Sequence, residues 1–304
     1  MTLTSTATLR PQQLADFARD GCLLLPGLLD QAALEPVRRD LTLELDRRAE
    51  ALKQSGLITD LHEQAPFSTR YGLLMAQSSA IQDQFDVVPI YSQAMFTFFH
   101  TPVLLEALSQ LLGGELSLNP IHHVRAKPPQ AQTADGVKGY FSVPWHQDSG
   151  VIIEEADASE IITVWLPLGD ATDEMGCLQV LPTAHQAGHL PHVSTPGYGT
   201  AIRASSMPGI APRKLPMRAG DVLFMHRHCP HHSTPNRSAA CRWSLDFRFH
   251  RTGDNSGRPW QPEVRVSSQR EPGAITRDYA GWVESWKACL ARGDGRTVHR
   301  ISAT

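Results

Sequence analysis

Arg242-Trp243-Ser244-Leu245-Asp246-Phe247-Arg248-Phe249-His250 alternates polar and apolar side chains without a break. Successive side chains of an extended strand point to opposite faces, so Arg242, Ser244, Asp246, Arg248 and His250 share one face and Trp243, Leu245, Phe247 and Phe249 the other. The apolar face is core. The polar face either meets solvent or lines the interior of a barrel. In a barrel, Arg242 offers a planar two-point donor with the Ser244 hydroxyl beside it, the pairing that the distal end of a dicarboxylate requires.

The surrounding chain favours a β-rich body. Short strands are predicted over 115–126, 139–146, 161–168, 176–181, 221–226 and 242–250, divided by turn-rich loops, which suggests a sandwich or barrel. The loops 127–138 and 183–215 are too long for hairpins and could border a site mouth. Ahead of this body, residues 11–19 read as a short helix with Leu14 and Phe17 inward, followed by a buried strand at Cys22–Leu25 that Pro26-Gly27 stops. Asp30 caps a helix running to about Lys53, with Leu34, Val37, Leu41 and Leu45 on one stripe. Thr101-Pro102 opens another that Gly113-Gly114 ends. Residues 55–100 carry scattered aromatics with no sustained period and read as either a lid or binding loop or a helical connection packed on the core. After about 251 the tail offers Tyr279, Trp282, Val283 and Trp286 at helical spacing, a terminal helix docked on the body.

No composition break divides the 304 residues. One domain over 1–304 is expected, with a helical part about 1–114, a β core about 115–250 and a tail about 251–304. The net charge of −3 has its signs interspersed, which leaves no electrostatic footprint for nucleic acid or an anionic membrane. The five cysteines lack C-x-x-C spacing, so a reduced, cytoplasmic setting is expected. No apolar run approaches the length of a membrane span, and Met1–Gln12 lacks the pattern of a signal peptide.

The chemistry centres on Val143-Pro144-Trp145-His146-Gln147-Asp148-Ser149-Gly150. His146 and Asp148 lie two residues apart, on one face of an extended chain, so both can reach one metal ion. A third ligand must come from elsewhere. The densest histidine cluster is Met225-His226-Arg227-His228-Cys229-Pro230-His231-His232-Ser233-Thr234-Pro235-Asn236, and composition does not settle which histidine binds.

Taken together these segments resemble the phytanoyl-CoA dioxygenase family of iron(II)- and 2-oxoglutarate-dependent oxygenases. Trp145-His146-Gln147-Asp148 matches its W-H-Q-D motif. Ile162–Leu168 and Asp173–His185 resemble its tryptophan-bearing strand and its E-x-G-C-L-x-V-x-P-G-S-H stretch, with Thr183-Ala184 in place of Gly-Ser. Ala219-Gly220-Asp221 resembles its G-D turn, Ala126-Lys127-Pro128-Pro129 its K-P-P segment and Phe17–Gly27 its entry. His231-His232-Ser233-Thr234-Pro235-Asn236 is similar to H-G-S-x-x-N, with His232 replacing the glycine.

The resemblance implies a double-stranded β-helix core, a jelly roll of cupin type, within a mainly β fold with flanking helices (α+β). It implies His146, Asp148 and His231 as catalytic ligands of Fe(II), and 2-oxoglutarate held by Arg242 and Ser244, with Lys127, Ser233 and Trp165 lining its pocket. Two imidazoles and a carboxylate on one face of an octahedral metal leave three positions open, enough for a keto acid and O2. The family's chemistry is oxidative decarboxylation to succinate and CO2 coupled to oxidation of an unactivated C–H. A halogenating variant would need the coordination position that Asp148 takes, so hydroxylation is favoured, or desaturation or ring formation. A zinc hydrolase or a non-catalytic metal-binding β-barrel is the alternative from another class, and the hydrolase does not explain Arg242-x-Ser244. The substrate is expected to be a free small molecule. Its contact candidates are Phe141, Gln147, Arg248 and Tyr71, with Tyr140, Arg70 and Trp260 behind them. Gln147 should point away from the ligand face, which makes a structural role the stronger one.

Overall fold

The computed structural model describes residues 8–83, 85–130, 143–195 and 199–302. Helix α1 (Pro11–Asp20) ends at Gly21, whose φ of 71° lies where glycine has no steric cost, and strand β1 (Cys22–Leu25) follows directly. Asp30 caps α2 (Gln31–Gln54), its carboxylate accepting the Ala33 amide at 2.8 Å, and Leu34, Val37, Leu41, Leu45 and Ala49 make the buried stripe.

The segment 55–100 is a helical connection packed on the core, the second of the two alternatives its sequence left open. It forms α3 (Phe67–Gln77), a single turn α4 (Val87–Ile90) and α5 (Gln93–Phe98), after which α6 (Pro102–Leu112) leads to the sheet. Tyr71, Phe85, Phe96, Phe98 and Phe99 are all buried there.

The β strands are β2 (Leu116–Lys127), β3 (Ile161–Pro167), β4 (Leu178–Val180), β5 (His192–Thr195), β6 (Gly199–Ile202), β7 (Arg213–Leu215), β8 (Val222–His226), β9 (His231–Ser233), β10 (Arg242–Arg251) and β11 (Val264–Ser267). The major sheet runs β1-β8-β3-β10-β2-β11, the minor sheet β7-β4-β9, and β5 pairs with β6. Every pairing is antiparallel. The stretch 183–215 therefore holds three short strands rather than a loop. Of the strand expected at 139–146, residues up to 142 lie outside the described residues, as does most of the loop 127–138; His146 joins β9 through a bridge to His231.

The major sheet has two different faces. Its outer face, with Ile162, Val164, Leu166, Phe224, Trp243, Leu245, Phe247 and Phe249, merges with the helices in one apolar cluster. Between the sheets a smaller cluster joins Cys22, Trp165, Leu223 and Met225 to Leu178, Val180 and Leu215. The polar residues of β10 share this inner side, so the alternation lines a jelly-roll interior as the barrel alternative required. Burial of those apolar rows drives the two-layer architecture.

Helix α7 (Tyr279–Ala291) docks Trp282 and Trp286 against His122, as its spacing predicted. The chain beyond it folds back: the Arg300 amide donates to Gly150 O at 2.8 Å and the Ser302 amide to His192 O at 2.9 Å. Among the described residues no helix is long and apolar enough to cross a membrane.

Candidate metal and cosubstrate site

Two loops meet to form the site. His146 and His231 exchange backbone hydrogen bonds, His146 N to His231 O at 3.1 Å and the reverse at 3.0 Å, which sets their rings 4.2 Å apart. Each ring directs Nδ1 at the carbonyl two residues earlier, Pro144 O at 2.9 Å and Cys229 O at 3.0 Å. A carbonyl can only accept, so Nδ1 carries the proton and Nε2 is left as an electron-pair donor. Extended Gln147 then returns Asp148 to the same side, at the start of a turn over Asp148–Val151. Ligand atoms of His146, Asp148 and His231 all lie within 4.8 Å of one another, and these are the one such trio among the described residues.

The electrostatics suit a cation. Burial pushes the His146 imidazolium down to about 3, with neighbouring His231 adding to the effect, so the ring is neutral and free to ligate at neutral pH. Burial alone would raise the Asp148 carboxyl, but Arg248 and the two imidazoles outweigh it and hold the group below the usual carboxylate range. Thr163 Oγ1 donates to one Asp148 oxygen and Arg248 to the other. Imidazole nitrogens and an oriented carboxylate are the donor set of a divalent transition metal.

His232 faces the other way. Its ring packs at a tilt on Trp145, 4.1 Å between centroids, and its Nε2 meets Gln179 Oε1 at 3.2 Å. Period-2 alternation in β9 puts it opposite His231.

A second feature lies on the same interior. Arg242 is buried, donates from one terminal nitrogen to Gly176 O at 2.8 Å and sits 5.3 Å over the Trp165 ring. Its Nε and the Ser244 hydroxyl are buried without partners among the described residues. Unpaired buried donors cost about 1–3 kcal/mol each, so two of them side by side describe a place for an acceptor. Lys127, opposite Arg242 in the β2–β10 register, donates to Ser233 Oγ at 2.8 Å and to Thr234 O. Burial, with Arg242 nearby, pulls its amine down to about 6. A carboxylate between Arg242 and Ser244 would satisfy both orphans, so the residues present fit a dicarboxylic cosubstrate.

The structure gives Gln147 the structural role that its place off the ligand face favoured, and it draws Arg248 and Tyr71 away from the substrate contacts expected of them. Gln147 is fully buried, and its amide is consumed by Gly188 O (2.9 Å), His228 O (2.7 Å) and the Leu190 amide (2.7 Å). Arg248 is held between Asp148 and Asp246, the latter at 3.2 Å, and donates to Ile121 O at 3.3 Å, which leaves only its Nε without a partner among the described residues. Tyr71 lies edge-on to Trp243 and Phe85 in the outer core, across the sheet from the polar row. Phe141 and Tyr140 lie outside the described residues. Arg70 pairs with Asp46, and Trp260 lies under Arg296. Sequence reasoning missed Thr163; its signal was the alternation in β3 that puts it on the inner face with Trp165.

A jelly roll with two imidazoles, a carboxylate and an adjacent anion cradle defines a metal-dependent enzyme that uses an acidic cosubstrate. The profile of the family "Phytanoyl-CoA dioxygenase (PhyH)" matches residues 17–244. The chain belongs to the phytanoyl-CoA dioxygenase family, the iron(II)- and 2-oxoglutarate-dependent oxygenases. Among similar proteins, L-proline trans-4-hydroxylase of Streptomyces griseoviridis is 24% identical over 279 residues, covering 84% of this chain and 92% of that one. The 1-deoxypentalenic acid 11-beta-hydroxylase of Streptomyces exfoliatus is 28% identical over 261 residues, covering 81% and 88%. In fold, the non-haem monooxygenase ThoJ superposes with a TM-score of 0.62 at 18% identity, covering 92% of this chain and 95% of that one. The epimerase SnoN, solved with Fe3+, alpha ketoglutarate and nogalamycin RO, gives 0.53 at 22% identity, covering 84% of each.

Proposed function

We propose that this protein is a hydroxylase in which His146, Asp148 and His231 hold Fe(II) while Arg242 and Ser244 grip the far carboxylate of 2-oxoglutarate. When bound, iron and cosubstrate supply, with O2, the chemistry of C–H oxidation coupled to release of succinate and CO2. The chain's own residues orient and shield. Carbonyls at Pro144 and Cys229 fix the two imidazole tautomers; Thr163 and Arg248 hold the Asp148 carboxylate ionised and in place. Lys127, Ser233 and Trp165 close the cosubstrate pocket around Arg242. A carboxylate at 148 supports hydroxylation over halogenation.

The observation that carries this reading is the pair of donors without partners among the described residues, Arg242 Nε and Ser244 Oγ, on the inner face whose Thr163 and Arg248 hold the Asp148 of the ligand trio. A zinc hydrolase has no use for them. The whole chain, 1–304, acts as one domain on a small molecule, and five buried, unpaired cysteines support a reducing, cytoplasmic setting. Incubation with Fe(II), 2-oxoglutarate and O2 tests the reading: iron-dependent succinate is expected, lost in Asp148→Ala, whereas succinate undiminished in that variant would contradict the assignment.

A further inference from the structure

The inner face of β2 carries a cation that the proposed chemistry leaves unused. Arg125 stands directly opposite Ser244, between Lys127 opposite Arg242 and His123 opposite Asp246. Residues directly opposite in an antiparallel pair share a face, so Arg125 projects to the same side as the cosubstrate cradle. Its neighbours on the strand confirm the alternation: Val124 and Ala126 belong to the outer apolar cluster, and His122 stacks on Phe99 there.

The other charges of this interior have counterparts. Arg248 lies between Asp148 and Asp246, and His123 meets Asp86 at 2.7 Å. Asp86 also accepts the Val124 amide at 2.7 Å. On the proposed reading, one 2-oxoglutarate carboxylate answers Arg242, while the other, with Asp148, answers the divalent metal. Arg125 is half-buried and makes neither a hydrogen bond nor an ion pair among the described residues; Asp86 is near enough to feel its charge but is already bonded to His123 and the Val124 amide. Its charge is near enough to Arg242 to help pull that guanidinium down to about 10, after the larger effect of burial. A guanidinium on the inner face whose neighbouring carboxylate is already engaged is stabilised by an anion that the ligand brings.

We propose that Arg125 anchors the substrate and that the site therefore takes a small molecule bearing a free carboxylate. This rests on the oxygenase reading above. A single guanidinium, with Asp86 and Asp246 on neighbouring positions, matches a monoanion whose two oxygens fit its fork. A CoA thioester presents its acyl group without that charge and gives Arg125 nothing to bind at the reacting end.

Oxygen-free titration calorimetry on the protein loaded with Fe(II) and 2-oxoglutarate tests the anchor. The probes are L-proline, benzoate, decanoate and abietate, each beside its methyl ester, with decanoyl-CoA as a further arm. At least one acid is expected to bind tenfold or more tighter than its ester; Arg125→Gln should erase that preference, and Arg125→Lys should keep part of it. If no acid outbinds its ester, including the case in which none binds, or if Arg125→Gln retains the preference, the anchor is wrong. Tighter binding of decanoyl-CoA than of decanoate overturns it equally. Failure of Fe(II) and 2-oxoglutarate to load would instead sink the oxygenase reading, whereas loading and succinate formation with no acid preference removes the anchor alone.

Discussion

Arg248 and Asp148 meet as a buried ion pair inside the jelly roll, a hundred residues apart in sequence, with Thr163 on the second carboxylate oxygen. Both side chains are almost wholly enclosed, at 5% and 2% exposure. Removing one partner of such a pair leaves a buried charge unanswered, at a cost of about 3–5 kcal/mol.

Arg248→Met should therefore lower the unfolding free energy of the metal-free protein by about that amount. A divalent ion brings positive charge to the same carboxylate, so added Mn(II) should recover part of the loss. Urea denaturation with and without Mn(II) reads both effects. An equal loss in the two conditions would mean that Arg248 acts through packing alone.

Lys127 makes a pH signature. Its amine titrates at about 6 in the folded chain against 10.5 for an unperturbed lysine. Between those values the unfolded chain holds a proton that the folded chain lacks, so stability without cosubstrate should rise with pH across that window. A carboxylate placed beside the amine favours its charged form, and 2-oxoglutarate binding should take up about one proton near pH 8. Calorimetry in buffers of different ionisation enthalpy measures this uptake, which Lys127→Met should abolish. Uptake that survives in the variant would assign the proton elsewhere.

The end of the chain braces the ligand loop. Arg300 N bonds to Gly150 O and Ser302 N to His192 O, while His192 Nε2 accepts the Gln147 amide at 3.1 Å. Arg300 also grips Asp157 through two hydrogen bonds, at 2.6 and 3.1 Å. A chain ending at Asp294 should lose about 2–3 kcal/mol, mostly from the two backbone bonds because the ion pair is half in solvent. Its Mn(II) affinity should fall about tenfold, the lower end of what outer supports of a metal site contribute. Unfolding curves and equilibrium dialysis check the two numbers, and unchanged affinity would show the tail to be a passive cover.

Much of the site was legible because its determinants are local. Alternation in β10 fixed which of its residues face inward, and the spacing of His146 and Asp148 survives folding because Gln147 stays extended between them. The choice of His231 over His232 came from motif order, and the structure brings His231 to the trio while His232 packs on Trp145. What escaped depends on distant partners. Gln147 is consumed by backbone groups of two remote loops, and Arg248 finds its carboxylate across the interior. The helices in 55–100 are short and bury aromatics all round against the outer face of the sheet, so no period marks them. Strands of three and four residues, such as β7 and β5, are too brief for alternation to show.

On the proposed reading one interior holds both a metal trio and a dicarboxylate cradle. Oxygen-free equilibrium dialysis of Fe(II) together with labelled 2-oxoglutarate measures both at once. One iron and one 2-oxoglutarate per chain are expected; His231→Ala should lose the iron, His232→Ala should keep it, and Arg242→Ala should keep the iron while losing the cosubstrate. Iron retained in His231→Ala, or 2-oxoglutarate bound equally well without Arg242, would contradict the account.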